Sequence, residues 1–429
     1  MSIGTIMIIC FAAVILALII GNKTKINAGI ISLFFAYIIG VFVLGMKGND
    51  LVGFWPTSIM VQMITILGFY GFANMNGTMR LLALKIIYPF RNKPAVMPFI
   101  ILFATMFIGL IAGGAAVNGF MPTLAFSIAI AAGWDTGIFA AVCCLGAVVG
   151  SAWPMSQTGV MIVGALEEAG IANAESVGWT VGILSWVMII VFEIILYFVF
   201  KGYKNKSVQM DEKPGAFNAQ QKKTLAVIAV VVAVLVIPSI FNILMPGSWL
   251  GNLSKKVHLS LVCGSGMAVC AFLKLGDIDE VIKKRIPWSM ILTICGIYVL
   301  VSIMTNQGAS KYLAELVSAN VPRALIIPLL TFFAGALSFF SSFFSTFPIL
   351  FPLFPGIAAS TGLSIPLMTL CCFFGSIATS ISPFSNGGMN VLSQVPDQEV
   401  QKKQYTKQIY IAIGCLVYSI VCGFIFSIF

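Results

Sequence analysis

Long apolar stretches separated by short polar turns fill most of the chain, and each approaches the roughly 20 residues that carry a helix across the hydrocarbon of a bilayer. Ten spans are expected, at about 3–20, 27–46, 55–76, 135–170, 177–200, 224–245, 257–274, 288–305, 363–395 and 406–428. The fourth and ninth exceed one crossing and carry polar interruptions. Two further pairs of apolar arms turn at polar tips: 94–112 and 115–132 at "GGAAVNG", and the arms of 322–362 at "SSFFST". Between the third span and the first hairpin, "GTMRLLALKIIYPFRNK" is basic and amphipathic, a pattern suited to lying in the membrane surface. The pattern predicts an all-α polytopic membrane protein with about ten transmembrane helices, two re-entrant hairpins and two interrupted helices.

The second half repeats the plan of the first. "NMNGTMRLLALKI" at 74–86 matches "TNQGASKYLAELV" at 305–317. Pro122 pairs with Pro352, Gly133 with Gly362, Cys143–Cys144 with Cys371–Cys372 and Pro154 with Pro383, all at offsets between 228 and 231. A near-constant offset through several landmarks marks an internal repeat. The expected division is N-terminal helices over 1–54, a first repeat over 55–200, a linker over 201–223, two further helices over 224–287 and a second repeat over 288–429. Within the repeats the arm helices are placed at 77–92 and 306–320, the hairpins at 94–133 and 322–362, and the broken helices at 135–170 and 363–395.

Composition agrees: 59% of residues are hydrophobic, 9% charged, and the mean hydropathy is +1.04. The formal charge of +10 invites a nucleic-acid partner, but the basic residues sit in short loops, where they fix topology instead, so none is expected. The linker holds six lysines and is placed in the cytoplasm. Counting crossings from it leaves only Lys47, Lys255, Lys256, Lys311 and Arg323 of the 24 basic residues outside. Both termini are then outside. An odd number of crossings separates corresponding spans, so the repeats are inverted, a signature of secondary transporters. The first run, Ile3–Ile20, lacks a basic leader and is read as a retained span, and the ten cysteines are read as small packing residues.

The candidate chemistry lies in the interruptions. A helix broken inside the membrane frees backbone groups that hydrocarbon cannot satisfy, so protein, water or a ligand must. "PMSQTG" at 154–159 offers Pro154, Ser156, Gln157, Thr158 and Gly159, and "PFSNGG" at 383–388, with the preceding Ser382, offers Pro383, Ser385, Asn386 and Gly387–Gly388. The hairpin tips add Gly113, Gly114 and Asn118 on one side and Ser341, Ser342, Ser345 and Thr346 on the other. Freed carbonyls and hydroxyls suit a hard cation such as Na⁺, assigned to Ser156, Gln157, Ser385 and Asn386. Half-helix N-termini suit an anionic substrate. The competing readings are a proline kink satisfied by neighbouring helices and a close helix contact through small residues. Glu193 is the clear intramembrane acid and a proton-relay candidate, with a structural carboxyl as the alternative.

Three segments carry a family resemblance: "IPWSMILTICGIYVLVSIMTNQGASKYLAELV" at 286–317, "GFMPTLAFSIAI" at 119–130 and "ATSISPFSNGGMNV" at 378–391. They resemble the ion transporter superfamily, in particular the divalent anion:sodium symporters and the MatC-like dicarboxylate carriers. The resemblance implies arm helices linking a scaffold to a moving transport domain, a homodimer through the scaffolds, and elevator-type alternating access. The sodium symporters carry a Ser-Asn-Thr triplet at each hairpin tip, where this chain has Ala112-Gly113-Gly114 and Ser342-Phe343-Phe344. The side chains of that motif therefore do not carry over, which moves the chain toward the MatC-like side.

The expectation is a secondary active transporter of a small organic anion, a dicarboxylate, in a bacterial inner membrane, with Na⁺ as coupling ion and no other cofactor. A cation/proton antiporter or an inorganic oxyanion permease of the same architecture remains an alternative. An intramembrane enzyme would need catalytic His, Asp or Ser–Lys sets on facing spans, and the sequence offers none.

Overall fold

The structure is a computed structural model that describes residues 1–204, 213–245, 248–253, 256–339 and 342–428. Part of the linker, Lys255 and Ser341 lie outside the described residues. Helices and turns make up the rest, with no strand among the described residues. Eight helices among them are long and apolar enough to cross a membrane. Small polar side chains set where several begin. Ser2 accepts from Thr5 N ahead of Ile3–Thr24, Asn27 from Gly29 N ahead of Ala28–Tyr37, and Asp135 from Gly137 N ahead of Thr136–Gly150. Asn218 and Gln221 form a capping box at Ala219–Leu244, and Asp397 caps Gln398–Phe426.

The helices fall into an outer and an inner group. In the outer group, Ala28–Tyr37 packs on Trp288–Asn306, and Leu259–Phe272 packs on Thr57–Met75. Each contact therefore joins a helix of one half to a helix of the other. Asn27 Nδ2 clasps the first contact by donating to Ser289 O at 2.7 Å and Ser289 Oγ at 2.9 Å. Asn76 Nδ2, at the end of Thr57–Met75, donates to Thr224 Oγ1 at 2.8 Å. The inner group holds both hairpins, both broken helices, Ala174–Val199 and Gln398–Phe426. Its closest contacts are Met97–Ala112 on Thr136–Gly150 and Arg323–Phe339 on Ile365–Ala378, the same pairing in each half. Ala174–Val199 crosses to Ile365–Ala378, and Gln398–Phe426 crosses to Thr136–Gly150. Thr78–Ile87 packs against both Thr57–Met75 and Met97–Ala112, linking the two groups.

The two hairpins differ in their second arms. After a short helix at Gly114–Asn118, Met121–Ala131 is one α-helix, with its proline confined to the first turn. The corresponding arm is split into Thr346–Leu350, a 3-10 turn at Phe351–Leu353, and Phe354–Thr361. Pro348, Pro352 and Pro355 account for the division, because each removes a backbone donor and crowds the preceding turn. Outward faces of Ile3–Thr24 and Gln398–Phe426 expose Ile8, Leu16, Val417 and Val421, as lipid-facing helices do.

Candidate functional site

Each broken helix satisfies most of its freed backbone with its own residues. In the first break, Thr158 N and Gly159 N donate to Ser151 O at 3.0 and 2.9 Å, and the hydroxyls of Ser151 and Thr158 share a bond of 2.6 Å. In the second, Ser385 Oγ donates to Ser380 O and to Ser382 O, and accepts from Gly388 N at 3.2 Å. Ser382 Oγ accepts from Phe384 N at 3.2 Å. Pro154 and Pro383 lie in the connecting turns, not inside a helix. Gly159 is not among the positive-φ residues; a Cβ there would instead strike the Trp153 carbonyl. Gly388, at the matching position, approaches the Ser382 carbonyl in the same way. Both glycines are needed for close approach.

The first hairpin tip docks on the first break. Gly113 has φ +83°, a value that favours glycine, and lies against Gln157. Gln157 Oε1 accepts from Ala115 N at 3.1 Å, and Ser156 Oγ donates to Gly109 O at 3.1 Å. The same tip reaches the second broken helix, where Asn118 O accepts from Gln394 Nε2 at 2.7 Å and Asn390 Nδ2 at 3.1 Å. The second tip holds itself together through Thr346 Oγ1 donating to Phe343 O at 2.6 Å and Ser345 N donating to Ser342 O at 3.0 Å. Thr379 Oγ1, donating to Gly335 O at 2.7 Å, ties that hairpin to its broken helix.

Both tips and both breaks meet around a cavity of about 250 Å³. Of the residues singled out in the sequence, Gly114, Asn118, Thr158, Ser342, Ser385, Asn386 and Gly387 line it. Gly113, Pro154, Ser156, Ser345, Thr346, Ser382 and Pro383 do not, and Gln157 faces a separate cavity. Ser380 and Asn390 line the space and were missed. Ser380 was legible as the counterpart of Ser151 under the repeat offset, and Asn390 as the residue one helical turn beyond Asn386. Among the described residues, no charged side chain lines the cavity.

The two halves of this lining differ in what they leave free. At the first break, the N–H groups of Thr158 and Gly159 are consumed by the Ser151 carbonyl. At the second, Asn386–Ser393 begins with Asn386 and Gly387, whose N–H groups have no helical partner, and only Gly388 N is taken. A helix start with free donors and a facing amide favours negative charge. Asn118 Oδ1 is buried without a hydrogen-bond partner among the described residues.

Glu193 lies elsewhere. It is 1% exposed on Ala174–Val199, away from the cavity lining, and its Oε1 has no partner among the described residues. Trp153, in the first break, packs edge-on against Trp179 and Trp186, and Trp186 Nε1 donates to Val149 O at 3.2 Å. That aromatic clasp fixes the break to Ala174–Val199 and was not read from the sequence.

Comparison with known proteins points one way. Residues 187–428, more than half of the chain, match the sodium:sulfate symporter transmembrane region. Residues 1–151 match the N-terminus of the dicarboxylate carrier protein MatC. No curated protein matches the chain in sequence. The fold is similar to the YdaH transporter of Alcanivorax borkumensis, at 15% identity and a TM-score of 0.53, over 87% of this chain and 86% of that one. It is also similar to MtrF of Neisseria gonorrhoeae, described as illuminating a class of antimetabolite efflux pumps, at 10% identity and a TM-score of 0.51, over 91% and 83%.

Proposed function

The chain belongs to the sodium:sulfate symporter family, whose members are integral membrane anion transporters, and from that premise we propose that it carries a small dicarboxylate by secondary active transport coupled to Na⁺. The observation that carries this reading is the convergence of both tips and both breaks on one cavity that no charged side chain among the described residues lines. Its size suits a ligand of few heavy atoms, since drug-sized ligands occupy roughly 300–1,000 Å³. The anion is held by the N–H groups of Asn386 and Gly387, the amides of Asn386 and Asn390 and the hydroxyls of Ser342 and Thr158. Na⁺ is the coupling ion and part of the cargo. Its ligands are the oxygens of Ser156 and Gln157 at one half-site and of Ser385 and Asn386 at the other, with the carbonyls of the unwound turns.

Under this reading the repeats are inverted and both termini face outward. The inner group of helices moves as an elevator against an outer scaffold that also forms a homodimer, in a bacterial inner membrane. The arm Thr78–Ile87, packed on both groups, supports a linking role.

The test is reconstitution of the full chain and Na⁺-gradient-driven uptake of succinate. Asn386→Ala is expected to lower uptake at sub-saturating succinate at least tenfold, and unchanged uptake would show that the site is misplaced. Thermal-shift screening against carboxylates and oxyanions, with and without Na⁺, identifies the anion. A response to sulfate alone makes the protein an inorganic oxyanion permease. Glu193→Gln is expected to leave Na⁺-driven uptake in place, whereas its loss together with transport driven by a pH gradient would establish the antiporter reading.

A further inference from the structure

A second cavity, of about 490 Å³, lies behind the first hairpin tip. Three cationic residues line it, Arg80 from the first arm helix and Lys284 and Arg285 from the short π-helix Val281–Arg285 that precedes Trp288, and no acidic residue among the described residues does. Lys284 is engaged by Glu280 at 3.1 Å, whereas Arg80 and Arg285 have no ion pair among the described residues. The cavity ends on Gln157, which is only 3% exposed. Gln157 Oε1 is taken by Ala115 N, and Nε2 has no hydrogen-bond partner among the described residues. A buried amide donor is therefore left unspent at the end of a cationic chamber.

The tip itself is the wall between this space and the central cavity. Ala115 lines both, and the neighbours Gln157 and Thr158 line one each. Topology alone accounts for basic residues on one side of the membrane. It does not account for their gathering, from two distant stretches of chain, around a space that ends at an unpartnered buried donor.

We propose that this second cavity is an anion-binding vestibule. The guanidinium groups of Arg80 and Arg285, which match the geometry of carboxylates and other oxyanions, hold the anion together with Gln157 Nε2 before it passes the first hairpin tip. A cleft lined by one sign of charge raises the local concentration of the opposite ion and its rate of arrival. The vestibule thus supplies the charge attraction that the neutral central cavity lacks. Its biological role rests on the anion-transport reading above, but its electrostatics are testable without transport.

The experiment places a reporter thiol at Ala116, which lines the vestibule, in the full chain in detergent. Nine native cysteines are buried and the tenth, Cys422, is replaced by Ser to silence the background. Modification rates are compared for anionic and cationic methanethiosulfonates of similar size. At low ionic strength the anionic reagent is expected to react about tenfold faster than the cationic one, in line with electrostatic focusing in charged clefts. Arg80→Gln with Arg285→Gln is expected to bring the ratio to about one, as is 1 M salt, where screening acts within about 3 Å. Arg80→Lys with Arg285→Lys keeps it high. Sodium sulfate and sodium succinate should each slow modification in the parent and not in the double Gln variant. A parent ratio near one, a ratio unmoved by the double Gln change, or a thiol inert to both reagents would each overturn the proposal. If Asn386→Ala leaves uptake unchanged while the labelling ratio behaves as expected, the central-site reading fails and the vestibule stands.

Discussion

At Gly159 and Gly388 the chain doubles back so tightly that a single added carbon would meet backbone, the Trp153 carbonyl in one case and the Ser382 carbonyl in the other. Backbone cannot yield as a side chain can, so Ala at either position must open the break. The expected cost is about 1–3 kcal/mol of local strain, read as a melting point lowered by several degrees and a reduced monodisperse fraction in detergent. Gly414→Ala is the control. Nothing lies within 4 Å of its added carbon, and removing a glycine from the interior of Gln398–Phe426 should raise the melting point slightly. Equal effects at all three positions would show that the turns are looser than this. At this scale the sequence located the breaks from their prolines, hydroxyls and amides. It could not give the reason for the glycines, because a close approach between residues six apart depends on how the turn closes. Ser380 and Asn390 were missed for a different reason: each lies just outside the polar run that drew attention to its helix.

The elements were legible in proportion to how local their causes are. Asn27, Asp135 and Asp397 announce helix starts within a few residues of themselves; the spans expected from 27 and 135 begin at their caps, whereas the last helix starts at Gln398, eight residues before the expected 406, because its first two turns are polar. The second hairpin was read as two plain arms, and its second arm is instead three short pieces. Hydropathy does not register that difference, although the three prolines of 348–355 do. Asp135 carries two duties at one element boundary. Its Oδ1 accepts from Gly137 N at 2.8 Å, and its carboxylate pairs with Lys407 Nζ at 2.8 Å, fastening the first broken helix to the last helix. About a third of each side chain remains exposed, so the pair contributes only about 0.2–1 kcal/mol. Asp135→Asn keeps an acceptor for the cap and should cost no more than that. Asp135→Ala removes the cap as well and should cost about 1 kcal/mol more. Thermal unfolding of the three proteins in the same detergent separates the two duties; equal losses for Asn and Ala would mean the cap contributes nothing.

Across the whole molecule, the contacts between halves are what the linear pattern could least convey. Ala28–Tyr37 reaches forward to Trp288–Asn306, and Leu259–Phe272 reaches back to Thr57–Met75, so the outer group cannot be divided along the sequence. The inner group is tied across halves by Tyr418 Oη donating to Met188 O at 3.0 Å and by Lys407 pairing with Asp135 at 2.8 Å. Each group is thus knitted internally, while the vestibule lies at the seam, with Leu67 and Pro287 on the outer side and Ala116 and Gln157 on the inner. A carrier that works by sliding one group past the other must change distances across that seam in every cycle. Leu67→Cys with Ala116→Cys, bridged by a flexible bifunctional methanethiosulfonate, should therefore stop uptake, and reduction of the bridge should restore it. A pair within the inner group, Thr123→Cys with Gln394→Cys, replaces side chains that already share a 2.8 Å hydrogen bond and should tolerate bridging. Uptake that survives the Leu67–Ala116 bridge would mean that the hairpin and the outer group travel together, leaving local motion of the tip as the only way past the wall.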